Sequence, residues 1–189
     1  MINSEFLEMR RKDTVFEVVG YKEKELLNYP YDHQIDFINY FWEKFIIYKN
    51  EYKEKHGKNP NNRMSGEVFE MIITYLLTRE NIRIKTMDSE IDGLRDVEPD
   101  FILIKPSKKE IFLSLKTSLR ERWKQADWEA LKYKKYICSN IKCILLVKDS
   151  KELKNLKTKI EDPSYELDLD HALTCNREDI EELFKLLKK

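Results

Sequence analysis

The sequence has few glycines and cysteines and no excess of either charge. Its 189 residues include four glycines and three cysteines. So few glycines argue against a small β-barrel with many tight turns and against a glycine-rich nucleotide-binding loop. Cys138, Cys143 and Cys175 form no CxxC pair, and an odd number of thiols argues against a disulfide framework or a zinc ribbon. Reduced thiols in a cytosolic protein are the simplest interpretation.

Long apolar stretches are missing as well. The first residues, 1–11, lack the apolar core of a secretion signal, and no stretch approaches the roughly 18 apolar residues of a membrane helix. His33, His56 and His171 are far apart in the sequence, so they form no HExxH-type metal site. We therefore expect a cytoplasmic protein.

The charges balance over the whole chain. The 35 basic and 35 acidic residues give a net charge of zero, which argues against a protein that coats nucleic acid by charge alone. An apolar fraction of 41% and an aromatic fraction of 12% are sufficient for a core and argue against disorder. The length fits one domain, residues 1–189, in which we expect residues 1–55 to form a helical N-terminal part.

Apolar residues at spacings of three and four predict several helices. The first covers residues 33–55 and is followed by a loop over 56–63. Ser65 is the expected cap of a second helix over about 66–80. Further helices are expected over residues 150–160 and 177–188.

Short apolar runs between these helices predict strands. Phe101–Ile104 and Ile111–Leu115 flank a turn-rich polar segment and predict a β-hairpin. Ser118 and Glu121 have the spacing of a capping box, which would open a long helix ending near residue 137. The apolar run Cys143–Val147 predicts a buried strand. Strands flanked by helices indicate an α/β fold with a mixed sheet.

Three residues of the hairpin form the sharpest chemical pattern in the sequence. Ser114 and Lys116 alternate with leucines, so they share one face of the second strand, and the hairpin brings Asp100 beside them. Hydrolysis of a phosphodiester needs a metal that polarises the phosphate and lowers the pKa of a water, and Mg²⁺ favours carboxylate oxygens. Asp100 would be a ligand, and a second carboxylate is required. The candidates are Glu70 or Glu67 on the preceding helix and Glu129 on the following one.

This pattern resembles the PD-(D/E)xK nucleases, and in detail the CCGG-type branch of type II restriction endonucleases, which includes the catalytic domain of EcoRII. The usual acidic residue two positions before the lysine is replaced by Ser114. In that branch the missing carboxylate comes from the next helix, about 13 residues after the lysine, and Glu129 stands 13 residues after Lys116. The runs KTSLRERWKQ, from Lys116, and RMSGEVFE, ending at Glu70, also resemble the branch. The likeness covers about residues 60–135.

The resemblance implies a restriction-endonuclease-like central mixed β-sheet flanked by helices, and sequence-specific cleavage of double-stranded DNA. It implies Mg²⁺ held by Asp100 and Glu129, and a GC-containing palindrome, for which a CC/GG core is one candidate. It implies a cognate DNA methyltransferase. A palindrome also suggests a homodimer, with a monomer left open. The implied catalytic residues are Asp100, Lys116, Glu129, Glu70 and Ser114, and the implied base-reading residues are Arg120, Glu121 and Arg122.

Several alternatives stay open at this point. Glu129 is also compatible with a surface position paired with Lys132, and Glu121 with a cap that contacts no base. A repair or mobile-element nuclease of the same fold, or a non-catalytic DNA-binding module, would carry similar motifs. The charge distribution favours a DNA contact near the hairpin, because residues 105–124 hold seven basic and two acidic side chains, or +5. Residues 149–182 hold five basic and eleven acidic ones, or −6.

Overall fold

The structure, a computed structural model, describes residues 23–85 and 100–188, apart from positions 106, 108, 120, 121 and 150. The chain divides into two compact units, Met1–Asn81 and Ile82–Lys189. In its described part the first unit is helical, and the second is built on a β-sheet. Whether the two units act as one nuclease domain stays a prediction.

The helices of the first unit are α1 (Glu23–Asn28), α2 (Gln34–His56) and α3 (Asn62–Arg79). The predicted helix over residues 33–55 is confirmed as α2. It begins with a capping interaction in which the Asp36 carboxylate accepts a hydrogen bond from the His33 N–H at 3.1 Å. It ends at His56 and is capped by Gly57, whose φ of 68° is a left-handed conformation that glycine adopts without strain.

The start predicted for α3 was wrong by one helical turn. Asn61, rather than Ser65, caps the helix, and its side-chain oxygen accepts a hydrogen bond from the Arg63 N–H at 3.0 Å. Asparagine and serine are about equally good caps, so the sequence offered two starts. The earlier one places Ser65 inside the first part of the helix.

The second unit contains a five-stranded sheet in the order β1-β2-β3-β4-β5. Its first three strands are antiparallel, and β3, β4 and β5 are parallel. The predicted hairpin is confirmed as β2 and β3, and the predicted buried strand as β4. The sheet is therefore mixed, as expected. The strands are β1 (Arg83–Lys85), β2 (Phe101–Ile104), β3 (Glu110–Lys116), β4 (Lys142–Val147) and β5 (His171–Thr174).

Helices connect the parallel strands, as parallel pairing requires. α4 (Arg122–Tyr136) links β3 to β4, and α5 (Leu153–Glu161) links β4 to β5. The C-terminal α6 (Arg177–Lys188) packs against β5. The helices predicted over 150–160 and 177–188 are confirmed, whereas β5 was not predicted from the sequence. Among the described helices, none combines the length and the hydropathy of a membrane span.

One face of the sheet, which we call the α4 face, is covered by α4 and α5. Its apolar core includes Phe112 of β3 and Leu145 of β4, against which Ala130 and Tyr133 of α4 pack. Side chains alternate along a strand, so Ser114 and Lys116 share the α4 face with Phe112. The fold thus turns these two polar residues toward the side of the sheet that α4 covers.

Candidate active site

Asp100 and Lys116 lie together where the hairpin strands meet. Phe101 is paired with Leu113, which places Asp100, immediately before β2, beside the carboxyl-terminal end of β3. The Lys116 Nζ atom lies 3.5 Å from the Asp100 Oδ2 atom, and the two side chains are only 12% and 14% exposed. In α/β sheets, binding sites form outside the carboxyl ends of parallel strands, and β3 ends at Lys116.

Two further groups hold the Asp100 carboxylate in place. The backbone N–H of Leu115 donates to Asp100 Oδ2 at 2.5 Å, and the Ser114 hydroxyl approaches the same oxygen at 3.4 Å. Ser114 itself is completely buried. Both donors share one charged acceptor, and the amide of Leu115 is the stronger anchor because its contact is much the shorter. The carboxylate is therefore fixed in its orientation before any ligand arrives.

Glu129 is turned into the protein from α4. Its exposed fraction is 3%, and it shares the inner side of the helix with Ala126, Ala130 and Tyr133, which cover the α4 face. The surface position that the sequence left open for Glu129 was therefore wrong. A carboxylate is seldom buried unless a hydrogen bond or a cation compensates its charge. Glu129 accepts one such bond, from Gln125 Nε2 to its Oε1 atom at 2.8 Å.

Asp100, Ser114, Lys116 and Glu129 thus belong to the same side of the sheet. The first three are in direct contact, and Glu129 enters this side from the helix that covers it. A fixed carboxylate beside an ammonium group suits a metal-dependent hydrolase, and the place of Glu129 in the same site stays a prediction.

The two alternatives for a further carboxylate, Glu70 and Glu67, lie on α3 in the first unit. Both side chains are half-buried, and Glu67 makes an ion pair with Arg63 at 2.8 Å, one helical turn earlier. A role for Glu70 in catalysis stays a prediction, as does the choice between the two glutamates.

Of the three proposed base-reading residues, the structure describes Arg122. Arg120 and Glu121 lie outside the described residues, so their contacts and the capping box with Ser118 stay predictions. Arg122 is the first residue of α4 and is exposed, and its N–H donates to the Leu119 carbonyl at 2.9 Å.

The donor set is compatible with Mg²⁺. In the part of the chain that the structure describes, no group of three or more histidine, cysteine, aspartate or glutamate side chains is arranged to hold a metal. Mg²⁺ does not need such a cage, because it keeps several water ligands and is commonly bound through one or two carboxylates. The fixed carboxylate of Asp100 and the buried one of Glu129 have the required chemistry.

Comparison with solved structures reveals the fold. The full length of the chain aligns with 88% of one chain in a structure described as a complex of the restriction endonuclease PspGI with substrate DNA, with a TM-score of 0.59 and 16% sequence identity. The chain has a restriction-endonuclease-like fold. The expected mixed sheet flanked by helices is confirmed at this level. No protein-family profile and no curated protein sequence matches the chain.

Within the restriction-endonuclease-like fold, two groups that contact the candidate carboxylates were not predicted from the sequence. One is the Leu115 amide, which no residue type reveals, because every residue except proline carries this donor. The other is Gln125, which stands four positions before Glu129. Glutamine and a carboxylate at this spacing are neighbours on a helix surface, so this contact was accessible from the sequence.

Proposed function

We propose that the chain is a type II restriction endonuclease that hydrolyses double-stranded DNA in the presence of Mg²⁺. The observation that carries the proposal is the Asp100–Lys116 pair, held at 3.5 Å at the end of β3 and combined with a buried glutamate on the next helix. The fold that the chain shares with PspGI, a restriction endonuclease solved with substrate DNA, supports it. The CCGG-type motifs of the sequence supply the finer assignment.

The roles of the residues follow from their chemistry. Asp100 and Glu129 would hold Mg²⁺, which supplies polarisation of the phosphate and a water of lowered pKa. Lys116 directs its ammonium group to the phosphate, where it stabilises the negative charge that develops during attack. Ser114 and the Leu115 amide keep the Asp100 carboxylate oriented. Glu70 is the candidate for a further carboxylate at this site.

We assign recognition of the DNA sequence to the residues that lead from β3 into α4. Arg120 and Arg122 would each donate two hydrogen bonds to guanine O6 and N7, and Glu121 would accept one from cytosine N4. A GC-containing palindrome follows from these residue types, with a CC/GG core as the first candidate. A palindrome has two equivalent DNA strands to be cut, which favours a homodimer. A cognate methyltransferase would protect the host DNA.

Digestion of a supercoiled plasmid tests this proposal. The protein is incubated with the plasmid in Mg²⁺ or in EDTA, and the products are separated on a gel. Discrete fragments that appear only with Mg²⁺ support a restriction endonuclease, and sequencing of the fragment ends gives the site. A smear would indicate a repair or mobile-element nuclease instead. Tight binding without cleavage would indicate a non-catalytic DNA-binding module.

A further inference from the structure

The Gln125 side chain links the surface of α4 to its buried inner side. Gln125 is exposed, whereas Glu129, one helical turn later, is only 3% exposed. The spacing of four places the two side chains next to each other on the helix. The Gln125 Nε2 atom donates a hydrogen bond to the Glu129 Oε1 atom at 2.8 Å, a normal length for such a bond. The buried carboxylate is therefore tied to a side chain that starts at the helix surface.

The donor in this contact carries no charge. An ionised carboxylate only accepts hydrogen bonds, so Gln125 turns its amide NH₂ group toward Glu129. An amide restricts the direction of the carboxylate and leaves its negative charge in place. An ammonium or guanidinium group at the same position would neutralise part of that charge and would repel a divalent cation. An uncharged donor therefore suits a carboxylate that has to bind a metal.

Two other carboxylates of the second unit show the same distinction. Asp179, to which no part in cleavage is assigned, accepts a hydrogen bond from the Lys157 ammonium group at 2.6 Å. The shortest contact described for Asp100, the other proposed metal ligand, is instead with the uncharged backbone N–H of Leu115 at 2.5 Å, and the Lys116 ammonium group is farther away, at 3.5 Å. Both proposed metal ligands are thus oriented by an uncharged donor.

We propose that Gln125 is a positioning residue, whose amide holds the Glu129 carboxylate in the orientation in which it binds Mg²⁺. This inference rests on the proposed nuclease function, since it takes Glu129 as a metal ligand. Gln125 acts through Glu129 and is not itself a ligand. Hydrogen bonds that orient a metal ligand from outside the coordination sphere commonly change metal affinity by about 10- to 100-fold.

Two measurements of metal binding on Gln125→Met test the inference, because this change keeps the length of the side chain and removes the donor. Titration of plasmid cleavage with Mg²⁺ gives the half-saturating Mg²⁺ concentration and the maximal rate. Loss of the electron paramagnetic resonance signal of free Mn²⁺, which takes the same oxygen ligands, measures metal binding without cleavage. We expect both metal affinities to fall by about 10-fold, while the maximal rate in saturating Mg²⁺ stays close to that of wild type.

Two further variants separate positioning from a general contribution to stability. Gln34→Met is the matched control, because the Gln34 Nε2 atom donates to the Glu80 Oε1 atom at 3.0 Å in the first unit, so the same kind of bond is lost. It should bind metal like wild type. Gln125→Lys restores a donor and adds a positive charge, so it should keep the melting temperature of the wild type and still bind metal more weakly.

Each result decides the question. Unchanged metal binding in Gln125→Met, together with weaker binding in Glu129→Gln, overturns the inference alone. Wild-type metal affinity in Gln125→Lys, or an equal loss in Gln34→Met and Gln125→Met, also overturns it, because neither result requires an uncharged donor at Glu129. Unchanged metal binding in both Gln125→Met and Glu129→Gln would remove Glu129 from the metal site, and this inference would fail with that part of the proposed function.

Discussion

The Lys116 ammonium group and the Asp100 carboxylate form an ion pair at 3.5 Å, although the two residues are 16 positions apart in the sequence and both side chains are nearly enclosed. Removing two charges from water is costly, and an apolar pair of similar volume often stabilises a fold as well or better. The pair is therefore poorly explained by stability. It is well explained if the site must present a fixed carboxylate and a cation to a charged substrate.

Glu129 gives a first prediction. Glu129→Gln keeps the shape of the side chain and removes the charge that would hold Mg²⁺, so we expect a higher Mg²⁺ requirement and a cleavage rate lower by about 10²-fold. Titration of plasmid cleavage with Mg²⁺ measures both. Glu161→Gln, at the exposed end of α5, is the matched control and should behave like wild type. An unaltered Mg²⁺ requirement in Glu129→Gln would remove this residue from the metal site.

Ser114 gives a second prediction. In the proposed PD-(D/E)xK assignment, Ser114 stands where a carboxylate is usual, and Glu129 is assigned to replace it. Ser114→Asp in the Glu129→Gln background should therefore recover part of the lost cleavage. In the wild-type background the same substitution buries a second carboxylate beside Asp100 and should lower both stability and activity. Cleavage assays and melting curves of the three variants check this, and a double variant no better than Glu129→Gln would speak against the exchange.

Arg120 gives a third prediction, which concerns the choice of sequence. Arg120→Ala should lose about 1–3 kcal/mol of discrimination at one base pair, because a bidentate contact with guanine is removed. Lys109→Ala, at an exposed position just before β3, is the control and should leave the sequence preference unchanged. Sequencing of the fragment ends produced by each variant measures the preference. A wild-type preference in Arg120→Ala would exclude a base-reading role.

The fold and the site differ in how far the sequence predicted them. The hairpin and the shared face of Ser114 and Lys116 were predictable, because strand alternation is a local property that burial of one face enforces. β5 was missed because its four residues, His171–Thr174, carry no alternation and become a strand only through pairing with β4. The orientation of Asp100 was also beyond the sequence, since it depends on the backbone amide of Leu115 and the register between β2 and β3.

Asp179 gives a fourth prediction, about stability. Burial alone would raise the pKa of this carboxyl, but hydrogen bonds from Lys157 and Thr174 outweigh burial and lower it. A lowered folded-state pKa stabilises the fold above the unfolded value, about 3.9, and this contribution is lost as the pH falls through the folded-state pKa. Asp179→Asn should therefore reduce the free energy of unfolding by about 1–3 kcal/mol at pH 7 and by much less near pH 3.

Urea unfolding at the two pH values measures this difference. Glu178→Gln, the exposed neighbour in the first turn of α6, should leave the free energy of unfolding nearly unchanged at both. A loss in Asp179→Asn that is equal at pH 7 and pH 3 would show that the ionised carboxylate is not the stabilising form.

The most direct measurement of the central claim is the rate of plasmid cleavage by Lys116→Ala in saturating Mg²⁺. Lys142→Ala is the matched control, because Lys142 is exposed and begins β4 at the opposite end of the paired strands from Lys116. We expect Lys116→Ala to bind the DNA fragment with near wild-type affinity and to cut it about 10²–10³-fold more slowly, while Lys142→Ala cuts normally. Cleavage by Lys116→Ala at the wild-type rate would contradict the assignment of the Asp100–Lys116 pair as the active site.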